Sequence, residues 1–276
     1  VIEPVTNLIC PLDQQPLQRH DMSWRCNSGH SYDIAKQGYV NLLPVQKKRS
    51  KDPGDSKAMI QARRRFLSQG FYQPLAEQVA ALTLADDASS LLDAGCGEGY
   101  YLQQLIQAAE RQGQSLQVAG LDISKWAVQA AAKQDKRATW MVASNSAMPL
   151  ADNSVDTLLC LFGFPAEAEF ERVLKPGGRL IMVDPASNHL NELKQIIYPE
   201  VKAKPEQLPV NDSRWSLTQE QRISYTVTLP DNDTIRDLLV MTPHLYRSSQ
   251  AGRERAEGLT TLDVTVDVWL RSFCNR

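Results

Sequence analysis

No apolar stretch in this 276-residue chain reaches the roughly 18 residues of a membrane span, which excludes a helical membrane protein. The start has neither the basic n-region nor the apolar h-region of a secretory signal, so a cytoplasmic location is expected. Cysteine is sparse: five residues, an odd number, stand scattered at 10, 26, 96, 160 and 274. That pattern excludes a secreted disulfide scaffold, and any pair is expected to be reduced or metal-bound. The net charge is only −2, without the overall Lys and Arg excess that phosphate binding usually shows. No internal repeat or low-complexity run stands out. Apolar residues are not in short supply: 42% hydrophobic content is ample for the core of one large domain with a small appendage.

The small net charge hides a local concentration. Between Lys47 and Arg65 eight basic residues face two acids, a local charge of +6 that includes Lys48, Arg49, Arg63 and Arg64. The plain reading is a solvated linker and helix face; the sharper one is a surface that contacts RNA phosphates. Ahead of it, residues 1–44 differ in texture. Cys10-Pro-Leu-Asp13 and Trp24-Arg-Cys26-Asn-Ser-Gly-His30 give a C-x2-D-x12-C-x3-H spacing. This would be an ordinary zinc knuckle if position 13 were cysteine. Asp13 can supply a carboxylate oxygen instead, with His20 a less well placed substitute, and either choice reduces the soft-ligand character that favours zinc. Cys10, Asp13, Cys26 and His30 are the candidate ligands, and a metal-free relic is the alternative.

Residues 45–84 read as a basic linker with the turn Asp52-Pro-Gly-Asp55, then helices, the first N-capped by Ser56. From residue 85 to 276, strands are expected near 90–94, 117–122, 138–143, 156–161 and 179–184. Helices are expected near 100–110, 125–134 and 166–174, an alternation that specifies a parallel α/β sheet. Ile223, Tyr225, Val227 and Leu229, then Val264, Val266, Val268 and Leu270, alternate with other residues and predict two late antiparallel strands. The stretch from Pro199 to Trp215 is expected to lie as a loop over the substrate face.

The most informative segment is Leu91-Leu-Asp-Ala-Gly-Cys-Gly-Glu-Gly-Tyr100, a buried strand running into a tight glycine turn and a helix. Gly95, Gly97 and Gly99 let backbone N–H groups approach a ligand with no Cβ in the way. Asp122, which ends the next apolar run 23 residues beyond Gly99, stands where a ribose-binding carboxylate belongs. The third glycine comes too early for the pyrophosphate loop G-x-G-x-x-G, which disfavours NAD. With the later turn Leu174-Lys-Pro-Gly-Gly178, this order resembles the S-adenosylmethionine-dependent methyltransferases. The alternative is a Rossmann-like domain that has lost its ligand.

A more specific resemblance rests on longer motifs. Ser31-Tyr-Asp-Ile-Ala-Lys-Gln-Gly-Tyr-Val-Asn-Leu-Leu-Pro44, Lys48-Arg-Ser-Lys-Asp-Pro-Gly-Asp-Ser56, Ala62-Arg-Arg64, Gly70-Phe-Tyr-Gln-Pro-Leu75 and Asn188-His-Leu-Asn-Glu-Leu-Lys194 resemble the 23S rRNA (guanine-N1)-methyltransferases over nearly the whole chain. The Gram-negative branch, which methylates a guanine in a domain II hairpin, is the more similar. The resemblance implies a Rossmann-like class I methyltransferase sheet of seven mostly parallel strands. It adds an N-terminal zinc-ribbon-like module that recognises RNA. It places Tyr72, Gly97, Glu98 and His189 at the cofactor, beside Asp93, Gly95, Gly99 and Asp122. Two departures stand out. Asp13 replaces a cysteine, and the run Val142-Ala-Ser-Asn-Ser-Ala-Met-Pro149 lacks the acid that many class members use against adenine, leaving Ser144 or Asn145 to offer an acceptor.

Guanine N1 carries a proton that must leave, so a proton acceptor is expected. Asp184, ending the fifth strand, is the candidate, and His189 is a second. N1 lies on the Watson–Crick edge, so the base must be unpaired or flipped. Phe162 and Phe164 are placed to stack it, with core packing the plainer reading. A homodimer is compatible with one hairpin spanning two N-terminal modules. The competing functions are a methyltransferase for a small metabolite or quinone, and a non-catalytic RNA-binding protein with a relic cofactor fold.

Overall fold

The computed structural model describes residues 1–47, 50, 52–86, 88–202 and 206–275. Lys48 and Arg49, expected at the RNA surface, lie outside the described residues. The N-terminal segment supplies β1 (Ile2–Pro4), β2 (Gln18–His20), β3 (Ser23–Arg25), β4 (Ser31–Asp33) and β5 (Tyr39–Asn41). Helices α1 (Lys57–Ser68) and α2 (Gln73–Thr83) follow. The alternating region then runs β6 (Ser90–Ala94), α3 (Tyr100–Arg111), β7 (Leu116–Asp122), α4 (Lys125–Gln134), β8 (Thr139–Val142), β9 (Val155–Leu161), α5 (Glu167–Val173), β10 (Leu174–Pro185) and α6 (Asn191–Ile197). The chain ends with β11 (Trp215–Leu229), α7 (Asn232–Val240), α8 (His244–Arg247), α9 (Gln250–Glu257) and β12 (Leu262–Asn275).

The large sheet has the order β11-β12-β10-β9-β6-β7-β8-β5, with β1 also paired to β7. Strands β6 to β10 run parallel, while β12 is antiparallel to β10 and β11 to β12. These are the seven expected methyltransferase strands, and β1 and β5 bring the sheet to nine. Strand β6 lies at the centre between β7 and β9, and all five of its residues are buried, so it shows no alternation of polar and apolar positions. Its C-terminal end therefore delivers the glycine turn to the middle of the sheet edge, where ligands of open α/β sheets bind.

Two cores cover the two faces. One joins Phe66 and Leu67 of α1, Leu75 of α2, Leu102 and Leu105 of α3 and Val128 of α4 against Leu91, Val118 and Ile181. The other joins Leu92, Leu121, Met141 and Met182 to Phe170 and Val173 of α5. It also contains Val5, Leu8, Cys10, Trp24 and Cys26. Residues 1–44 thus form a distinct stretch in sequence but share a core with the sheet. Only β2-β3-β4 form a sheet of their own, while β1 and β5 extend the large one. The run of short strands separated by turn residues hides this, because pairing to β7 and β8 is long-range.

The sequence reading assigned nothing between residues 230 and 261, where α7, α8 and α9 pack. Asp231 caps α7 by accepting from Thr234 N at 2.8 Å. The expected cap Ser56 accepts from Met59 N at 3.3 Å. Arg65 binds Asp237 through two hydrogen bonds of 2.8 and 2.5 Å and so ties α1 to α7.

Gly120 in β7 sits under the Trp140 ring, where an added Cβ would come within 2.5 Å of Cζ3. Gly120→Ala is expected to cost about 1–3 kcal/mol by overpacking, seen as a Tm several degrees lower by thermal melting with the sheet retained by circular dichroism.

Candidate active site and metal centre

The glycine turn is held from the neighbouring strand. Gly95 N and Cys96 N both donate to Leu121 O, at 2.8 and 2.9 Å. One residue later, Asp122 accepts from Gly97 N at 3.0 Å through Oδ2 and from Ser124 N at 2.7 Å through Oδ1. Gly99 has φ of 84° and caps α3, and a Cβ there would stand 2.9 Å from Trp140 Cη2. Only glycine fits that position.

Three carboxylates converge beside this turn. Asp93, on β6, is 2% exposed and its Oδ1 has no hydrogen-bond partner. Burial, with Asp122 and Glu98 adding like charge, pushes its carboxyl up to about 8. Glu98 is 4% exposed with Oε2 unpaired, and burial raises it too, against the pull of Arg63. Asp122 is likewise raised by burial. Buried unpaired acceptors are costly unless a ligand satisfies them. S-adenosylmethionine fits, since it brings a sulfonium, an ammonium and two ribose hydroxyls to these oxygens. Asn145 lies at the same edge, its Nδ2 3.5 Å from Ala94 O, and Ser144 bonds Ser146 beside it at 2.9 Å between hydroxyls.

An aromatic group closes the other side. Tyr72, at the N-terminus of α2, is buried, and desolvation holds its phenol above the ordinary range. Its ring lies 6.3 Å from Phe162, which lies 6.4 Å from Tyr101 and stacks on His189 at 5.9 Å. Phe162 follows β9 with φ of 56° and donates its N–H to Val183 O at 2.9 Å. A non-glycine residue in that region is strained and marks a constrained position. Phe164 is 88% exposed. Phe162 packs against Tyr72, Tyr101 and His189, whereas the Phe164 side chain stands out into solvent.

His189 is 6% exposed and its Nδ1 accepts from Asp267 N at 3.2 Å. The hydrogen consequently sits on Nε2. Burial and the positive charge of Lys194 lower the imidazole to about 3. His189 is thus a neutral hydrogen-bond donor and a poor proton acceptor. Asp184 has a free acceptor, since Oδ2 is buried without a partner, and burial opposed by Arg271 raises its carboxyl to about 6.

The basic surface is partly consumed by ion pairs. Arg63, expected to face RNA, points inward: its guanidinium lies 2.6 Å from Asp55 and 3.9 Å from Glu98, and it donates to Met241 O at 3.1 Å. Its charge is committed to acids beside the cofactor turn, which corrects that expectation. Arg64 is exposed, as a phosphate contact requires. The inward turn of Arg63, the part of Tyr101 and the role of Asp267 in orienting His189 have no signal in sequence spacing, since each depends on tertiary packing.

At the N-terminal module, the donor atoms of Cys10, Asp13, Cys26 and His30 all lie within 4.8 Å of one another. His30 Nδ1 is 3.5 Å from Cys10 Sγ, 3.3 Å from Cys26 Sγ and 3.1 Å from Asp13 Oδ2. Tetrahedral zinc, with ligand bonds of about 2.0–2.3 Å, places its donors roughly 3.3–3.8 Å apart. The set fits, with Asp13 in the fourth position and Tyr32 Oη 3.1 Å from Cys10 Sγ as an outer partner.

A glycine turn fixed by a strand-end carboxylate, at the carboxyl edge of this sheet, is the arrangement of an S-adenosylmethionine-dependent methyltransferase. A family profile described as a methyltransferase domain matches residues 85–234, and one for the RlmA N-terminal zinc ribbon matches residues 8–51. A putative 23S rRNA (guanine-N(1)-)-methyltransferase of Bacillus subtilis is 32% identical over 249 residues, covering 87% of this chain and 86% of the relative. The 23S rRNA (guanine(748)-N(1))-methyltransferase of Streptomyces fradiae is 37% identical over 194 residues, 68% of this chain and 67% of its own. The crystal structure of a putative methyltransferase from Bacillus halodurans superposes with a TM-score of 0.48 at 14% identity, covering 72% of this chain and 97% of its own. The chain belongs to the 23S rRNA (guanine-N1)-methyltransferase family.

Asp93 supplies a pH test. Its carboxyl holds its proton to about pH 8 in the folded chain and to about 3.9 when unfolded. Between those values the folded state binds more protons, so stability falls as pH rises from about 4 to about 8. Asp93→Asn is expected to flatten that slope in Tm measured without cofactor, and to weaken cofactor binding at least about tenfold by calorimetry. For the metal, elemental analysis is expected to find one zinc per chain. Asp13→Cys should make it harder to remove by chelator and Asp13→Ala easier.

Proposed function

We propose that this chain transfers the methyl group of S-adenosylmethionine to N1 of one guanine in a domain II hairpin of 23S rRNA, in the manner of the Gram-negative branch of its family. The observation that carries the reading is the zinc-ribbon donor cluster built into the same core as the cofactor sheet. A metabolite methyltransferase has no use for that module, and a relic fold has no reason to keep buried, unpaired acids at Asp93 and Glu98. The branch and the hairpin rest on the sequence resemblance. In the same reading the exposed Arg64 and its basic neighbours contact RNA phosphates, the enzyme works in the cytoplasm where ribosomes are made, and two copies hold one hairpin. Among the described residues no helix is long and apolar enough to cross a membrane.

When bound, the cofactor supplies an electrophilic methyl group on a sulfonium. The chain then has to align N1 with that methyl, remove the N1 proton and exclude water. Asp122 holds the ribose, and the unpaired oxygens of Asp93 and Glu98 take the polar end. His189 donates from Nε2 toward the same pocket, its orientation set by the backbone of Asp267. Phe162 and Tyr72 form the apolar wall against which the flipped base is placed. Asp184 accepts the N1 proton: Phe162 N bonds Val183 O, so the base wall and Asp184 stand on adjacent strand ends.

Labelled methyl transfer to 23S rRNA from cells lacking the enzyme, followed by nucleoside analysis and mapping of the modified position, tests the reading. N1-methylguanosine at one domain II hairpin position is the expected product, and a mark at the position of the Streptomyces fradiae relative would overturn the branch. Transfer only to a small acceptor would overturn the substrate. Asp184→Asn is expected to lower kcat about 10²–10⁴-fold with the cofactor Kd unchanged. In the parent enzyme kcat should fall as pH drops through about 6, where Asp184 takes up a proton. Sedimentation with and without hairpin RNA reads the dimer.

A further inference from the structure

A closed ring of contacts joins the linker that leaves the zinc-ribbon module to the cofactor turn. Within the linker, Gly54 packs so tightly on the β7–α4 turn that a Cβ would stand 2.8 Å from Ile123 Cγ2 and 2.9 Å from Ser124 N. Ser124 Oγ donates to Asp55 O at 2.7 Å. The Asp55 carboxylate pairs with Arg63 at 2.6 Å, and the other terminal nitrogen of Arg63 lies 3.9 Å from Glu98 Oε2. A Cβ on Gly97 would meet the same Arg63 nitrogen at 3.6 Å. Gly97 N then bonds Asp122, and Asp122 bonds Ser124 N, which returns to the start.

We infer that Arg63 is a positioning residue for the cofactor, which with Asp55 fastens the linker over the glycine turn and holds Glu98 and Asp122 in binding geometry. The inference rests on the cofactor reading of the turn and not on the identity of the RNA. Arg63 has a side chain only 22% exposed, and Glu98, across from it, is almost fully buried, its Oε2 without a hydrogen bond and facing Arg63 as its ion-pair partner. Without Arg63, the acids at positions 55, 98 and 122 repel one another in a poorly solvated space, and the turn relaxes away from its binding shape. Lysine cannot replace it, because a single ammonium does not span Asp55, Glu98 and the Met241 carbonyl at once.

Equilibrium titration of the full chain with S-adenosylhomocysteine tests this without needing an RNA substrate. Arg63→Ala is expected to raise the cofactor Kd on the order of tenfold or more, with KM for S-adenosylmethionine raised in parallel and KM for RNA little changed. Arg63→Lys should recover only part of the loss. Asp55→Asn, which keeps the side-chain shape, should weaken cofactor binding in the same direction and provides a test if the alanine variant folds poorly. A cofactor Kd within about twofold of the parent, with weaker hairpin binding and a log–log salt slope reduced by about one, would identify Arg63 as a phosphate contact and overturn the inference. A loss of cofactor affinity that disappears on cooling below the variant's lowered Tm would reduce Arg63 to a stabilising residue and also overturn it.

Discussion

The Asp122 carboxylate is the constraint on which the site depends. It accepts from Gly97 N on one side and Ser124 N on the other. Gly97 adopts φ of 55° within a turn whose Gly95 and Cys96 N–H groups also bond Leu121 O, so the geometry of the turn is set from β7 as much as by its own glycines. In the proposed reading the same carboxylate is the ribose ligand. Turn shape and cofactor recognition are therefore one interaction, and the cost of burying the acid is offset by two backbone donors.

From that point the site grows outward by contacts between distant elements. Arg63 reaches in from α1, Tyr72 from the start of α2, Phe162 from the end of β9 and His189 from the turn after β10. Asp267 on β12 supports His189 with its N–H and accepts two hydrogen bonds from Arg222, of 2.9 and 2.8 Å, through its carboxylate. The antiparallel edge thus orients the His189 ring besides closing the sheet. The two titratable candidates after β10 are driven apart by their surroundings: desolvation leaves His189 neutral and Asp184 with a raised, still accessible, acidity. One becomes a donor and the other an acceptor.

The N-terminal segment carries the other lesson. Its zinc-type donors lie on short turns, yet Cys10 and Cys26 are buried in the core that lines one face of the methyltransferase sheet. The module therefore packs as part of the same core as the sheet and not as a separate body. The basic stretch that follows is less open than its composition implies. Arg63 is turned inward onto Asp55, while Arg65 pairs with Asp237 and stays largely exposed.

The sequence by itself determined the parallel strands, the helices between them, the glycine turn, the strand-end acid Asp122 and the four metal-type donors. Each is written in local periodicity or short spacing, where backbone geometry leaves few options. The two late strands were legible as alternation, although β11 and β12 extend well beyond the alternating residues. Tertiary structure alone decided that β1 and β5 join the large sheet and that Arg63 turns inward onto Asp55 and Glu98. It also decided that Phe162 packs among Tyr72, Tyr101 and His189 while Phe164 is exposed, and that His189 carries its hydrogen on Nε2. Those outcomes depend on which groups meet across dozens of residues and on how much water remains between them, and neither is encoded in local spacing.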